Sequence, residues 1–295
     1  MNLFIYKKEV NNREIKKNNH LDNVNIVKFV GLENVGATCY MNATLQCLIN
    51  IDILTRYLLK ESNYNNFKKY NINLYNLTNC YCEVLYNISC DENIKSCKPT
   101  NFKNIISRKN PLFQGEQDND SKNLINFLLK EMHNELKNLE INDNNNVDSI
   151  TEIDETDRCK MLDLFQKKTI KQNKSIISKL FYILIGYVIK CQGCNTEKYN
   201  YQVSFYFEFI LEKIYNFYND NNMTLINNNG RKCIPLLAYF EEYKQMKLFI
   251  EDNKFYCNIY KDLRETIYIN IIYSLPPILI LIFNRGKENI FVCDC

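Results

Sequence analysis

The segment Gly31 to Leu48, GLENVGATCYMNATLQCL, carries the parts that acyl transfer by a thiol requires. Such chemistry needs a stabilised thiolate, donors for a developing oxyanion, and close approach of backbone to substrate. A helix starting just after Thr38 would aim its unpaired N–H groups at Cys39 and favour the thiolate there. Asn34, in the turn five residues earlier, can offer an amide donor to an oxyanion, beside the Cys39 N–H. Gly36 lets that turn pass close to the reacting centre. Cys47, two turns further down the same helix, reads as core. The chain has only two histidines. His20 falls in a polar tail and His133 in an apolar helical stripe, so neither reads as a catalytic base.

The elements that must hold this segment follow from periodicity. Residues 1–28 are Asn- and Lys-rich, turn polar after the first six, and read as a flexible tail. Met41, Leu45, Leu48 and Ile49 fall at helical spacing, and a second helix is expected over 52–60. Four cysteines between 63 and 110 (Cys80, Cys82, Cys90 and Cys97) have no metal-site spacing and read as small buried hydrophobes. A long helix starts at Asp120 or Ser121, either of which can cap it, and runs to about Leu139 on a stripe that includes Leu124, Leu128 and Met132. A surface loop is expected over 141–157. The period then shortens to strands at 180–190, 199–211, 266–273 and 278–284. The knuckle Cys191-Gln-Gly-Cys194 lies between the first two, and residues 215–230 read as an Asn-rich insertion. Helices first and strands later give an α+β fold class.

Composition narrows the setting. The chain has 295 residues, 37 basic against 34 acidic, for a net charge of +3. That balance is too weak to argue for nucleic acid or a membrane surface, and neither is expected as a partner. Thirteen cysteines, an odd number, occur without a secretory signal, so free thiols in a reducing compartment are expected, cytoplasmic or nuclear. The strongest apolar runs are too short to span a bilayer.

The nucleophile segment closely resembles the cysteine box of the ubiquitin-specific proteases, GLxNxGxTCYMNSxLQ, with Ala43 in place of Ser. The resemblance implies Cys39 as nucleophile and Asn34 as oxyanion donor. It extends over about residues 28–290. The family's second box, QQDAxEFLxxLLDxLHEEL, is matched by DNDSKNLINFLLKEMHNEL from Asp118; Asp120 is kept, and the paired Gln positions are Asp118 and Asn119. By resemblance Asp120 would hold a basic residue of the ubiquitin tail, and His133 takes a structural position. Cys191, Cys194 and Cys257 match three of the four thiolates of the family's zinc ribbon, and Tyr260 stands where the fourth would be. The stretch LPPILILIFNR from Leu275 matches a further strand motif.

What the resemblance implies is a papain-like cysteine protease domain over 29–295. A helical thumb would cover about 29–165, and fingers and part of a palm about 166–295. The expectation is that the chain stops before the family's histidine box, so the catalytic His and its Asp or Asn have no positions here. The implied reaction is hydrolysis at the C-terminal glycine of ubiquitin, with ubiquitin and ubiquitinated proteins as partners and a monomeric state. Catalysis needs no cofactor; a filled structural zinc site, a zinc-free or weakly binding finger, and a site completed by Cys233 all stay open. Two other readings stand beside it: a ubiquitin-binding pseudoprotease without turnover, and a redox or metal-binding finger protein.

Overall fold

The computed structural model describes residues 2–7, 30–60, 77–90, 94–140, 156–171, 173–221, 226–228, 231–233, 235–249 and 254–284. Its helices are α1 (Cys39–Ile49), α2 (Asp52–Leu59), α3 (Leu77–Cys90), α4 (Thr100–Lys109), α5 (Ser121–Glu140), α6 (Arg158–Phe165), α7 (Ile176–Phe181), α8 (Leu211–Asp220) and α9 (Leu236–Tyr243). Its strands are β1 (Asn2–Lys7), β2 (Gly31–Leu32), β3 (Ser96–Cys97), β4 (Ile183–Cys191), β5 (Glu197–Ser204), β6 (Phe207–Ile210), β7 (Ile226–Asn228), β8 (Arg231–Cys233), β9 (Lys247–Phe249), β10 (Phe255–Cys257), β11 (Asp262–Arg264), β12 (Thr266–Ser274) and β13 (Ile278–Asn284). Helices dominate the first half and strands the second, the expected α+β order. Among the described residues no helix is long and apolar enough to cross a membrane.

The chain divides into two compact units. The helical unit comprises Lys7–Asn142 and Lys174–Leu180. In it α1 packs on α5, and Met41, Leu45, Leu48, Leu124, Leu128 and Leu129 are fully buried. The α5 side chain Glu135 reaches across to the start of α3. Its carboxylate accepts from the N–H groups of Leu77 (3.1 Å) and Thr78 (2.8 Å) and from the Thr78 hydroxyl (2.6 Å). It also pairs with Lys109 at 3.0 Å. A helix N-terminus leaves N–H groups unpaired, and here a carboxylate from another helix satisfies two of them. His133, two residues earlier, is buried with Nδ1 2.7 Å from Ser175 Oγ. Burial, then the charge of Lys137, lowers its pKa to about 4. The structural role expected for His133 is what the geometry shows. Cys82 is fully buried on α3, and burial pushes its thiol up to about 12; Cys80 is raised to about 11 for the same leading reason.

The strand-rich unit comprises Met1–Tyr6, Asp143–Asn173 and Phe181–Cys295. Its four-stranded sheet has the order β5-β4-β12-β9, and its three-stranded sheet the order β1-β13-β6. β4 pairs antiparallel with β5 and β12, while β13 runs parallel to β6. Ile183, Ile185, Phe207, Phe209, Leu211, Ile214, Tyr239, Leu281 and Phe283 form one buried cluster there.

Three expectations need adjusting. The strand expected over 199–211 is two strands in different sheets, because the Ser204 hydroxyl bonds the Tyr206 backbone and turns the chain between them. The Asn-rich insertion expected at 215–230 begins inside α8, where Leu211, Ile214 and Tyr218 are buried at helical spacing. Of the tail expected over 1–28, residues 2–7 form β1 beside β13, since LFIY is an apolar run with strand propensity. Residues 8–28, positions 141–155 of the loop expected over 141–157, and Arg285 with all that follows it lie outside the described residues.

Candidate active site

The nucleophile segment folds as a turn feeding a helix. Gly36 takes φ +98°, a conformation other residues avoid, and a Cβ there would sit 3.3 Å from the Glu116 side chain. Cys39 follows as the first residue of α1 and is exposed. No acidic residue lies in the first turn of α1, and among the described residues no side chain caps its N-terminus. The partial positive end of the helix is therefore left to Cys39 and whatever meets it.

The residue in the N-cap position is Thr38, fully buried. Its hydroxyl is turned back into the turn. It donates to Asn34 Oδ1 (2.7 Å) and accepts from the Val35 N–H (3.1 Å). The Thr38 N–H also donates to Asn34 Oδ1 (3.0 Å) and to the Gly36 carbonyl (2.6 Å). With Oδ1 accepting twice, the Asn34 amide has one orientation, and its Nδ2 limb faces away from Thr38. The Asn34 side chain is exposed. Cys39 and Asn34 are thus brought together on one turn.

Two further α1 residues hold this turn in place. Asn42 Nδ2 donates to the carbonyls of Leu32 (3.2 Å) and Glu33 (3.0 Å), and Gln46 Nε2 donates to the Val30 carbonyl (2.8 Å). Residues 39, 42 and 46 share one helical face. Two amides three and seven positions after Cys39, on a helix otherwise apolar, were the available sequence signal. Asn42, Gln46 and Thr38 are the site residues that inspection of the sequence alone passes over.

Asp120 sits directly before α5. Its Oδ1 accepts from the Lys122 N–H (2.9 Å), so it caps that helix, as either Asp120 or Ser121 was expected to do. Ser121 Oγ donates to the Tyr40 carbonyl (3.3 Å), which brings the start of α5 to the residue after Cys39. Tyr40 stacks on Phe113 with ring centroids 6.2 Å apart, which packs the segment before α5 against α1.

The strand-rich unit holds the second cluster. The Sγ atoms of Cys191, Cys194 and Cys257 all lie within 4.8 Å of one another, with Cys194 and Cys257 3.5 Å apart. Four thiolates around a zinc at ~2.3 Å stand roughly 3.8 Å apart, so these three fit three corners of such a site. The Thr196 hydroxyl lies 3.2 Å from Cys194 Sγ, and its hydrogen bond, with that of the Thr196 backbone, lowers the Cys194 thiol to about 7. Two matching knuckles build the cluster. Asn195, just after Cys194, has φ +59°, and Lys261, just after Tyr260, has φ +52°. Tyr260 therefore holds the place in the β10–β11 hairpin that Cys194 holds after β4. Its ring lies against Gly193, where any Cβ would come within 2.8 Å, and the Arg264 guanidinium stands 4.6 Å above that ring. Cys233 belongs to β8, paired with Ile226, and its side chain is outside the described residues.

Comparison with known proteins agrees with this geometry. The family model "Ubiquitin carboxyl-terminal hydrolase" matches residues 30–292. A probable ubiquitin carboxyl-terminal hydrolase 1 of Schizosaccharomyces pombe is 35% identical over 116 residues, covering 38% of this chain and 13% of that protein. Human ubiquitin carboxyl-terminal hydrolase 2 is 26% identical over 166 residues, 56% of this chain and 27% of that protein. The hydrolase cyk-3 of Caenorhabditis elegans is 27% identical over 189 residues, 57% and 16% respectively. The chain thus spans less than a third of the length of these relatives. With a family model matching nearly its whole length, the chain belongs to the ubiquitin carboxyl-terminal hydrolase family.

Proposed function

We propose that this chain is a papain-like thiol-protease domain that releases ubiquitin from proteins, with Cys39 as nucleophile. The observation that carries the reading is the exposed Cys39 at an uncapped helix N-terminus, one residue after a threonine whose hydroxyl orients Asn34. The Cys39 thiolate attacks the carbonyl carbon of ubiquitin's C-terminal glycine. The carbonyl oxygen gains the negative charge, and Asn34 Nδ2 and the Cys39 N–H donate to it. Collapse of the intermediate expels the lysine amine, which takes a proton, and leaves a thioester on Cys39. Water then releases ubiquitin as the free carboxylate.

The helical unit corresponds in this reading to the thumb, and the strand-rich unit to fingers and palm. Asp120 keeps one carboxylate oxygen for the helix cap and offers the other to a basic residue of the ubiquitin tail. Cys191, Cys194 and Cys257 would hold a zinc between the two knuckles only weakly, with Tyr260 in the fourth place, and the metal would take no part in the chemistry. The protein would act as a monomer in the cytoplasm or nucleus.

A second reading, ubiquitin binding without turnover, draws on one observation. His133 is the only histidine among the described residues, and it is buried against Ser175. The test is hydrolysis of a fluorogenic C-terminal amide of ubiquitin by the protein and by Cys39→Ala. Turnover that vanishes in the variant supports the protease reading. Ubiquitin binding with no turnover in either supports the second, and turnover that survives Cys39→Ala overturns the assignment of the nucleophile.

A further inference from the structure

We propose that Thr38 is a positioning residue for the oxyanion site: its hydroxyl fixes the Asn34 amide with Nδ2 turned outward and, by doing so, leaves the N–H groups of α1 uncapped. The inference rests on the reading of Asn34 as an oxyanion donor. The Thr38 N–H can only donate, so the atom it meets at 3.0 Å is the amide oxygen, and the hydroxyl meets the same atom at 2.7 Å. Without these contacts the exposed Asn34 amide would turn about a broad, roughly two-fold torsion and present oxygen as readily as nitrogen. An amide oxygen aimed at a developing oxyanion would repel it. A threonine in the N-cap position ordinarily accepts from N–H groups of the first helical turn. Here its lone pair takes the Val35 N–H instead (3.1 Å), and among the described residues no side chain caps α1. Thr38 is fully buried, so its hydroxyl has this one environment.

The role separates from plain structural support by comparing two ligands. Ubiquitin aldehyde adds to Cys39: a C–S bond forms, the C=O π pair moves to oxygen, and that oxygen stays an oxyanion or takes a proton. Ubiquitin with its free carboxylate binds the same surface without this step. Thr38→Val keeps the shape and the backbone bond to Asn34 but removes the hydroxyl. It should weaken ubiquitin aldehyde about tenfold and leave plain ubiquitin within about twofold, less than the 10²–10³ typical for complete loss of such a donor. Thr38→Ser should restore the aldehyde affinity, and Thr38→Val should add nothing in an Asn34→Ala background. Equal weakening of both ligands, failure of the serine rescue, no loss in Thr38→Val, or a full further loss on top of Asn34→Ala would each overturn the proposal. If Asn34→Ala alone leaves aldehyde affinity intact, the oxyanion reading of Asn34 falls and this proposal with it. If Asn34→Ala loses affinity and Thr38→Val does not, only this proposal falls. Thr38→Ala, smaller than the native side chain, carries the same test should Thr38→Val not fold.

Discussion

Asn42, one turn after Cys39, bonds through its side-chain amide to the carbonyls of Leu32 and Glu33 at 3.2 and 3.0 Å, tying the segment before the turn to the helix that carries the nucleophile. Gln46 does the same for Val30 one turn further on. The turn that carries Asn34 is thus held to α1 by these bonds as well as by the two that Asn34 Oδ1 accepts from Thr38.

Asn42→Ala should therefore cost more in reactivity than in stability. Two side chain–backbone bonds are worth about 1–3 kcal/mol together, whereas an ångström of misplacement can cost about a hundredfold in rate. We expect labelling of Cys39 by a ubiquitin electrophile to slow at least tenfold while the protein stays folded. Unchanged labelling would show that the turn keeps its place without Asn42.

Glu135 is a stability element rather than a site residue. Glu135→Ala removes the carboxylate to which the N–H groups of Leu77 and Thr78 donate, and leaves the Lys109 ammonium with Glu131 alone (3.0 Å). Denaturant unfolding should show a loss of roughly 2 kcal/mol or more. A loss below about 0.5 kcal/mol would mean that water replaces the carboxylate at no net cost.

His133 makes stability fall with acid. Its folded-state pKa of about 4 lies below the ordinary 6.5, so the folded protein favours the neutral ring. The contribution is complete above pH ~6.5 and is lost progressively as pH falls toward 4, because the unfolded chain takes up the proton first. Urea midpoints measured across this range should decline for the wild type and decline less for His133→Gln. Parallel slopes would place the acid sensitivity elsewhere.

The metal site should be incomplete. Three thiolates with Tyr260 in the fourth place should retain well under one zinc per chain after purification, and Tyr260→Cys should raise the content toward one. A full, tightly held zinc in the native protein would mean that another residue, such as Cys233, completes the set.

Legibility in the sequence followed range. The nucleophile segment is local, a glycine turn and a helix start within a dozen residues, and its features could be read in order. The α5 stripe was equally plain. The break between β5 and β6 was hidden, because Phe205, Phe207 and Phe209 alternate as one strand would while Ser204 turns the backbone through its own hydroxyl. α8 was masked by Asn-rich composition, although Leu211, Ile214 and Tyr218 carry its helical stripe. The reach of Glu135 to Leu77 across 58 positions is a tertiary fact with no local signature.

The central claim is that Cys39 alone among the 13 cysteines is the nucleophile. The most direct measurement is to treat the protein with ubiquitin carrying a C-terminal electrophile and map the adduct by mass spectrometry. We predict one stoichiometric adduct, on Cys39, absent in Cys39→Ala and blocked by excess ubiquitin aldehyde. An adduct on Cys47, Cys159 or any other thiol, with Cys39 unmodified, would contradict the account.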